Sequence, residues 1–340
     1  MSQGKKLRLA LIGSESLAGK EIRDVFAARS FPLASFDFFD PDVAEEYSRL
    51  TQFREEPKVV HHLEPKALEG IDLVFLAGDP ATNRTYGGLA LKGAFRAIDL
   101  AGTSSGRPDV PVVVAGVNDG ILRDRRPALV ASPHPLTVFI AHLLAAVRQD
   151  FGLERAVVFS LQPASAFGED GIQELIDQSY GTLCGTAVTK KVFRDQAAFN
   201  VLARADKPGR DGFSPVEKQV RDEVRNVIGG PEVPLSMAIV QAPVFHTYSV
   251  MAYVETERPA APGALENAFR ARSPFKVGTA ASAPAVSSIS VAGKDEIHIG
   301  LVKQDAALPR SAWVWLVADN LTAGSALNAF AIARALCGLP

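Results

Sequence analysis

The segment ALVASPHPLTVFIAHLLAAV, residues 128–147, contains a short apolar strand, a break and a helix with apolar residues at helical spacing. Such a turn often carries a reactive side chain in α/β proteins, because backbone N–H groups at a helix start favour negative charge. Ser132, His134 and Thr137 suggest a hydrolase, but triad partners normally come from separate segments. Pro135, at the helix start, offers no nucleophile. The turn therefore has the position of a catalytic site without an evident catalytic group.

A glycine-containing loop follows the first apolar run and matches part of a dinucleotide-binding fingerprint. The sequence IGSESLAGKEI supplies Gly13 and Gly19 but has Ser16 where the fingerprint has its middle glycine. That glycine lets the backbone approach the pyrophosphate, and a serine side chain crowds the same space. Glu15 adds a carboxylate that would repel a diphosphate by about 1 kcal/mol in a partly solvated site. The loop predicts weak dinucleotide binding, with a tight turn that binds no ligand as the alternative.

The cysteines and histidines are the remaining candidates for nucleophilic or acid–base chemistry. Cys184 and Cys337 show no metal-ligand spacing, and free cysteines usually behave as small hydrophobic residues. We therefore expect structural roles for both and no metal site. His134 and His246 could form a new polar site in a cleft between domains, and solvated or hydrogen-bonded histidines are the alternative.

Length and composition indicate a globular protein of two domains. The chain has 340 residues, of which 47% are hydrophobic, and this is enough for a sizeable core. A formal net charge of -2 gives no basic excess for nucleic acid or an anionic membrane. Two cysteines are too few for a disulfide framework, and the apolar run near the N-terminus is too short for a signal peptide or membrane span. We expect a cytoplasmic protein without nucleic-acid or membrane partners.

Short apolar runs alternate with helical stretches along the first part of the chain. We predict strands at 7–13, 35–40, 59–63, 71–78, 95–102 and 110–116. Because these runs are continuously apolar and are separated by helices such as 17–29, they predict a parallel sheet covered on both faces. This is the α/β architecture of a doubly wound, Rossmann-like nucleotide-binding domain.

The pattern changes after the turn at 132–135. We predict helices at 136–151, near 169–180 and at 214–229, strands at 156–162, 235–245 and 249–256, and a loop over 273–290. The last segment, 312–336, is predicted to be a strand and a long helix that return to the first domain. The expected division is therefore 1–134 with 313–340 as the first domain and 135–312 as a second, α+β domain.

Eight segments carry a resemblance to a known family. They are LRLALIGSESLAGKEI (7–22), DVPVVVAGVN (109–118), LVASPHPLTV (129–138), SLQPASAFGEDGIQEL (160–175), DQAAFNVLARAD (195–206), EKQVRDEVRNVIG (217–229), VQAPVFHTYSV (240–250) and WLVADNLTAGSALNA (315–329). Their order and spacing resemble the aspartate-semialdehyde dehydrogenase family nearly end to end. Its enzymes reduce an acyl phosphate with NADPH through a cysteine thioester. The resemblance implies an NADP cofactor, a nucleotide-binding domain, and a dimerisation and substrate domain that pairs the subunits of a homodimer.

The positions that match the catalytic residues of this family carry other residue types. Pro135 stands where the resemblance places the nucleophilic cysteine, so no thioester can form, and proline also removes a backbone N–H. Gln162 matches the substrate-orienting glutamine. Gln241 replaces the arginine that binds the substrate carboxylate, and Tyr248 replaces the acid–base histidine. Glutamine offers no charged fork, and a tyrosine with an ordinary pKa near 10 is a poor proton shuttle at neutral pH.

The substrate-binding and phosphate-binding positions are altered as well. Ser105 matches the phosphate-binding arginine, and Arg107, two residues later, could reach the same place from a reshaped loop. Val216 and Gln219 match a glutamate and a lysine that contact substrate. The sequence also resembles cysteine-lacking paralogues of the dehydrogenase, in which QAPVF replaces the arginine-containing strand.

These comparisons predict two sets of ligand-contacting residues. The cofactor set comes from the glycine loop and from the C-terminal segment with the final helix. It consists of Gly13, Ser14, Ser16, Gly19, Gly324 and Asn328. The ligand-cleft set consists of Ser105, Arg107, His134, Gln162 and His246.

Two functional hypotheses remain. The first is a homodimeric paralogue without the parent reaction, a non-catalytic or repurposed protein that binds an unidentified small ligand or pairs with an active family member. The second is an NADP-dependent oxidoreductase acting on an aldehyde such as aspartate semialdehyde in amino-acid biosynthesis, with Tyr248 or His246 as proton donor. Direct hydride transfer does not need a thiol, so the second hypothesis stays open.

Overall fold

A computed structural model describes residues 6–44, 49–203, 207–230, 232–278 and 285–339. The chain divides into two compact units, which are described separately. The first unit comprises Met1–His134 with Ser325–Pro340, and the second comprises Pro135–Gly324.

The first unit contains a seven-stranded sheet. Its strands are β1 (Leu7–Ile12), β2 (Leu33–Asp40), β3 (Arg49–Phe53), β4 (Glu56–His62), β5 (Leu73–Leu76), β6 (Arg96–Asp99) and β7 (Leu129–Ala131). They lie in the order β3-β4-β2-β1-β5-β6-β7, and every neighbouring pair is parallel except β3 with β4. This order around β1 is that of a doubly wound nucleotide-binding fold, with β3 added at one edge. The predicted fold class is confirmed for this unit.

The helices of the first unit cover both faces of this sheet. They are α1 (Leu17–Ala28), α2 (Pro80–Leu91), α3 (Gly120–Arg125) and, from the C-terminal segment, α9 (Leu327–Leu336). On one face, the Phe26 ring of α1 lies 5.2 Å from Phe75 of β5 and 4.9 Å from Phe330 of α9. The next residue of β5, Leu76, faces Gly87 of α2. Consecutive residues of β5 are therefore all buried, which explains its continuously apolar sequence.

The second unit is built on a six-stranded mixed sheet. Its strands are β8 (Arg155–Gln162), β9 (Leu235–Gln241), β10 (Tyr248–Glu255), β11 (Phe275–Val277), β12 (Ile297–Gln304) and β13 (Ser311–Ala318), in the order β11-β12-β13-β10-β8-β9. The helices of this unit are α4 (Pro135–Phe151), α5 (Gly168–Cys184), α6 (Pro215–Ile228), α7 (Ala264–Arg270) and α8 (Ser288–Val291). Along β8 the side chains alternate between buried and exposed, so this sheet has one covered and one open face.

Three sequence-based assignments are wrong. Residues 110–116 form no strand, and only Val112 makes an isolated bridge with Ala131. Residues 313–324 belong to the second unit, because β13 pairs along its length with β10 and β12. The passage 273–290 contains β11 and α8 instead of a continuous loop, and its residues 279–284 lie outside the described ranges. For residues 313–324 the deciding partners are strands far away in sequence, which local composition does not identify.

Within the described ranges, no helix is long and apolar enough to span a bilayer.

Candidate functional site

Three of the positions implied in catalysis lie side by side at the ends of adjacent strands of the second sheet. Gln162 is the last residue of β8, and Gln241 is the last residue of the parallel strand β9 and its direct partner in register. Tyr248 begins the antiparallel strand β10 on the other side of β8, next to the pair Ser249 and Leu161. The sheet thus brings together residues that are far apart in sequence, and they form the candidate site of the second unit.

The three side chains of this cluster carry no charge at pH 7. The Tyr248 hydroxyl donates to the Gln162 side-chain oxygen at 3.2 Å, and burial raises the pKa of Tyr248 above its usual value. The Gln241 amide donates to the Ala242 carbonyl at 2.9 Å, while its own Oε1 is buried without a hydrogen-bond partner among the described residues. A buried tyrosine that keeps its proton and two carboxamides can orient a polar group, but they supply neither a cation nor a proton shuttle at neutral pH.

The residue before Tyr248 has a strained backbone. Thr247 is fully buried with φ 73°, a conformation that is unfavourable for a β-branched residue and costs on the order of 1–3 kcal/mol. The Asn320 Oδ1 atom accepts from the Thr247 backbone N–H at 3.2 Å and from the Ser165 hydroxyl at 3.1 Å, and these bonds hold the turn. Sequence reasoning did not find Thr247, Ser165 or Asn320, because neither a positive φ nor this contact is encoded in local composition.

Pro135 is the first residue of α4 and packs against Gly324. A Cβ atom on Gly324 would lie 2.6 Å from the Pro135 Cβ and 2.7 Å from the Phe139 ring, so a side chain is excluded there. Gly324 was predicted to contact a dinucleotide as part of the first domain. The structure instead places it in the second unit, inside a short π-helical turn, where its lack of a side chain is explained by this packing.

The helix α6 does not present the substrate-binding pair that the family resemblance implies. Gln219 donates to Glu223 at 2.9 Å, and the other carboxylate oxygen of Glu223 accepts from the Thr137 hydroxyl of α4 at 2.6 Å. Val216 lies in the first turn of α6. This buried carboxylate bridge joins two helices, so Gln219 and Glu223 have a structural role in the described contacts.

In the first unit, the glycine loop joins β1 to α1 by close backbone contacts. Gly13 has φ +78°, and a Cβ there would lie 2.4 Å from the Gly78 nitrogen. A Cβ on Gly19 would lie 2.1 Å from the Gly13 carbonyl oxygen. Both glycines therefore serve the tight turn and the close helix–strand packing of a nucleotide-binding fold.

The Ser16 side chain forms hydrogen bonds with backbone groups of the loop and of the neighbouring strand end. Its hydroxyl oxygen accepts from the Gly19 N–H at 3.0 Å as the N-cap of α1, and it lies within donating distance of the Gly13 and Ala77 carbonyls, at 2.9 and 2.8 Å. Sequence reasoning expected this side chain to crowd an approaching ligand, and in the structure its hydroxyl is directed at the loop's own backbone. The hydroxyl thereby occupies the Gly19 N–H, one of the donors at the helix start.

Other loop donors are also occupied. The N–H groups of Gly13 and Ser14 donate to the Phe39 carbonyl at 2.9 and 3.4 Å, and that of Ser16 donates to the Gly13 carbonyl at 3.2 Å. The Ser14 hydroxyl is buried without a hydrogen-bond partner in the described part of the chain. Glu15 lies 3.6 Å from Arg23, which partly balances its charge. The loop has the shape of a pyrophosphate turn, but four of its N–H groups already have protein acceptors.

The remaining residues of the predicted cofactor and ligand sets in this unit make internal contacts. The Asn328 side chain donates to the Val113 carbonyl at 3.0 Å and to the Ser132 hydroxyl at 2.9 Å, and it accepts from the Ala115 N–H at 2.9 Å. The Ser105 hydroxyl donates to the Gly102 carbonyl at 2.9 Å. These bonds hold the turns at the carboxyl ends of β6 and β7.

Arg107 forms a bidentate ion pair with Asp109, at 3.1 and 2.8 Å, and the hydrogen bond to this carboxylate raises the pKa of the guanidinium. Both side chains are about half exposed, at 52% each. An anion would therefore have to compete with Asp109 for Arg107.

The two histidines of the predicted ligand set lie in different units. His134, at the end of the first unit, is partly buried, and desolvation lowers its pKa to about 4, so the imidazole is neutral at pH 7. His246 is partly exposed and lies in the turn before β10 of the second unit. Within the described ranges, no group of three or more His, Cys, Asp or Glu side chains is placed to hold a metal ion.

Neither cysteine lies at a candidate site of its own unit. Cys184 is exposed at the last residue of α5, whose 17 residues span about 25 Å from the end that lies next to β8. Cys337 is partly buried directly after α9, near the amino ends of the first-unit strands. Both therefore lie away from the strand ends that form the candidate sites.

Comparison with known proteins adds the following. A family model described as the semialdehyde dehydrogenase dimerisation domain matches residues 144–323, more than half of the chain. Similar proteins are an aspartate-semialdehyde dehydrogenase of Prochlorococcus marinus, 27% identical over 98% of this chain and 96% of its own length, and a USG-1 protein homolog of Azotobacter vinelandii, 27% identical over 96% and 97%. A similar structure is aspartate semialdehyde dehydrogenase II of Vibrio cholerae complexed with ASA, with TM-score 0.90, 22% identity and 98% coverage of both chains.

Proposed function

The chain belongs to the aspartate-semialdehyde dehydrogenase family, and from this membership we propose that it is a member that does not catalyse the parent reaction. It acts as a non-catalytic or repurposed homologue that binds a small ligand or a partner subunit. The observation that carries this proposal is the neutral cluster at the strand ends of the second unit. There Gln162, Gln241 and Tyr248 lie together, and Pro135 begins α4.

The replacements at Pro135, Gln241 and Tyr248 affect different steps of the reaction. Pro135 cannot form a thioester, and Gln241 cannot make a charge-assisted bidentate contact with a substrate carboxylate. Tyr248 is a weaker acid than free tyrosine, because burial raises its pKa. A single loss can be compensated by a neighbouring residue, but the hydrogen bonds described above for Gln162, Gln241 and Tyr248 join carboxamide, hydroxyl and carbonyl groups.

The alternative function, an NADP-dependent oxidoreductase, requires a proton donor. The raised pKa of Tyr248 and its hydrogen bond to Gln162 argue against this residue as the donor, which leaves His246. The occupied N–H groups of the glycine loop support the further proposal that any dinucleotide is bound weakly.

A turnover assay tests the proposed function. The purified chain is incubated with aspartate semialdehyde, phosphate and either NADP or NAD, and reduced nicotinamide is followed by absorbance, with an active family member as positive control. We expect no turnover above the protein-free blank. Turnover that an alkylating reagent abolishes would contradict the proposal, and the variants Cys184→Ser and Cys337→Ser would then identify the thiol.

The open face of the second sheet supports a homodimer. Register places Phe159, Met251, Trp315 and Leu301 in one row across four strands, and Phe159 and Leu301 are 45% and 46% exposed. Val157, in the neighbouring row of β8, is 46% exposed. A contiguous apolar surface of this kind usually contacts a partner, and a stable interface would bury at least about 2,000 Å². We propose that this face pairs two copies of the chain, or one copy with an active family member.

A further inference from the structure

The C-terminal end of β2 lies directly beside the glycine loop. The carbonyl oxygen of Phe39 accepts from the N–H groups of Gly13 and Ser14, at 2.9 and 3.4 Å. Asp40 is the next residue and ends the strand, and only 7% of its surface is exposed. One of its carboxylate oxygens accepts from the Asp42 N–H at 3.0 Å, which holds the side chain in place.

This position has a defined role in doubly wound nucleotide-binding folds. The strand that follows the first crossover ends where the adenosine ribose of a bound dinucleotide lies. A carboxylate there accepts a hydrogen bond from the ribose 2′-hydroxyl, whereas a 2′-phosphate needs a nearby arginine. The strand order around β1 is the order of that fold, so Asp40 occupies the ribose position of the first unit.

The charges around the C-terminal end of β2 are unfavourable for a phosphate group. Asp42 adds a second carboxylate two residues after Asp40, and residues 36–44 contain neither lysine nor arginine. Glu15 lies on the neighbouring loop. Of the two cations of α1, Lys20 and Arg23, Arg23 contacts Glu15 and the Thr51 hydroxyl. NADP, the cofactor that the family resemblance implies, therefore does not fit this unit at its 2′-phosphate.

We propose that the first unit selects an adenine dinucleotide without a 2′-phosphate, of the NAD class, and that Asp40 is the residue that sets this selection. The inference rests on the proposed function only in assuming that the glycine loop still binds a dinucleotide. It concerns equilibrium binding and requires no turnover.

Equilibrium titration with NADH and with NADPH, followed by nicotinamide fluorescence, tests the proposal on the full chain. We expect NADH to bind at least about 10-fold more tightly, or about 1.4 kcal/mol, because the Asp40 carboxylate repels a 2′-phosphate dianion. The variant Asp40→Asn keeps the size and an acceptor oxygen, and we expect it to reduce this preference at least about 5-fold. The matched variant Asp42→Asn removes the same charge from an exposed side chain and should change the preference less.

Three results would overturn the proposal. They are equal or tighter binding of NADPH, an Asp40→Asn variant that keeps the wild-type preference while melting at the wild-type temperature, and failure of both nucleotides to bind at millimolar concentration. The last result leaves the loss of dehydrogenase activity intact. Turnover with aspartate semialdehyde would contradict the proposed function while leaving the nucleotide preference to be decided by titration.

Discussion

We expect that replacing Pro135 by cysteine supplies a thiol at the position of the family's nucleophile without producing the family's reaction. The Cβ position that packs on Gly324 is retained, so the variant Pro135→Cys should fold, with a loss of at most about 1 kcal/mol from the more flexible unfolded chain. The new thiol lies at the start of the 17-residue helix α4, where the helix dipole lowers a thiol pKa. We therefore expect a reactive cysteine in a site that still lacks its other groups.

The magnitude of the remaining defect follows from the neighbouring residues. The missing charge-assisted contact at Gln241 costs about 1.5–3 kcal/mol, which is one to two decades of substrate binding. The missing acid–base group at Tyr248 costs a further 10²–10⁴-fold, roughly the typical contribution of general acid–base catalysis. Together they predict that kcat/KM of Pro135→Cys stays about 10³–10⁶-fold below that of an active family member.

Two measurements check this prediction. Titration with a chromogenic disulfide should detect one more reactive thiol in Pro135→Cys than in Pro135→Ser, which shows that the nucleophile is present and accessible. The turnover assay with aspartate semialdehyde should then stay at background for Pro135→Ser, and Pro135→Cys should stay at least about 10³-fold below an active family member. A Pro135→Cys enzyme within about 100-fold of an active family member would refute the reasoning, because Gln241 and Tyr248 would then be adequate replacements.

Four further predictions concern stability and assembly. Removing the N-cap with Ser16→Ala should lower the free energy of unfolding by about 1–2 kcal/mol in urea, whereas Ser16→Gly should cost less and tighten dinucleotide binding. Glu174→Ala removes the carboxylate that accepts three backbone N–H groups at 2.8, 2.8 and 3.1 Å, and we expect a loss of about 2–4 kcal/mol. Phe159→Glu, on the open sheet face, should convert the proposed dimer to a 36.2 kDa monomer in light scattering. His142, whose pKa burial lowers from 6.5 to about 4, should destabilise the fold as pH falls, by on the order of 1–2 kcal/mol between pH 7 and 5.

The controls separate these effects from general damage. For His142 the unfolded chain binds the proton more readily, so its contribution is complete above pH 6.5 and is lost as pH falls toward 4. His142→Asn should flatten the pH dependence. Glu174→Gln should be milder than Glu174→Ala, and equal losses would mean that the three backbone bonds contribute little. Wild-type protein that scatters as a monomer at sub-micromolar concentration would eliminate the proposed dimer.

The sequence alone was sufficient for the elements whose environment is recorded in local composition. The parallel strands of the first unit are continuously apolar because helices cover both sheet faces, and β5 is buried at all four positions. Gly13 and Gly19 were recognisable because the turn and the helix contact admit no side chain there. The absence of a nucleophile at Pro135 could also be read directly, since it depends only on residue type.

Only the tertiary structure decided which distant residues meet. Gln162, Gln241 and Tyr248 became one cluster because β9 and β10 flank β8 in a specific register, which composition does not encode. The same kind of pairing moved 313–324 to the second unit and explained Gly324 by its contact with Pro135. Hydrogen bonding directed the Ser16 hydroxyl at the loop backbone, where sequence reasoning expected it to face a ligand. Partners of this kind are selected by the packing of whole strands and helices, and their energies become available only when the chain is folded.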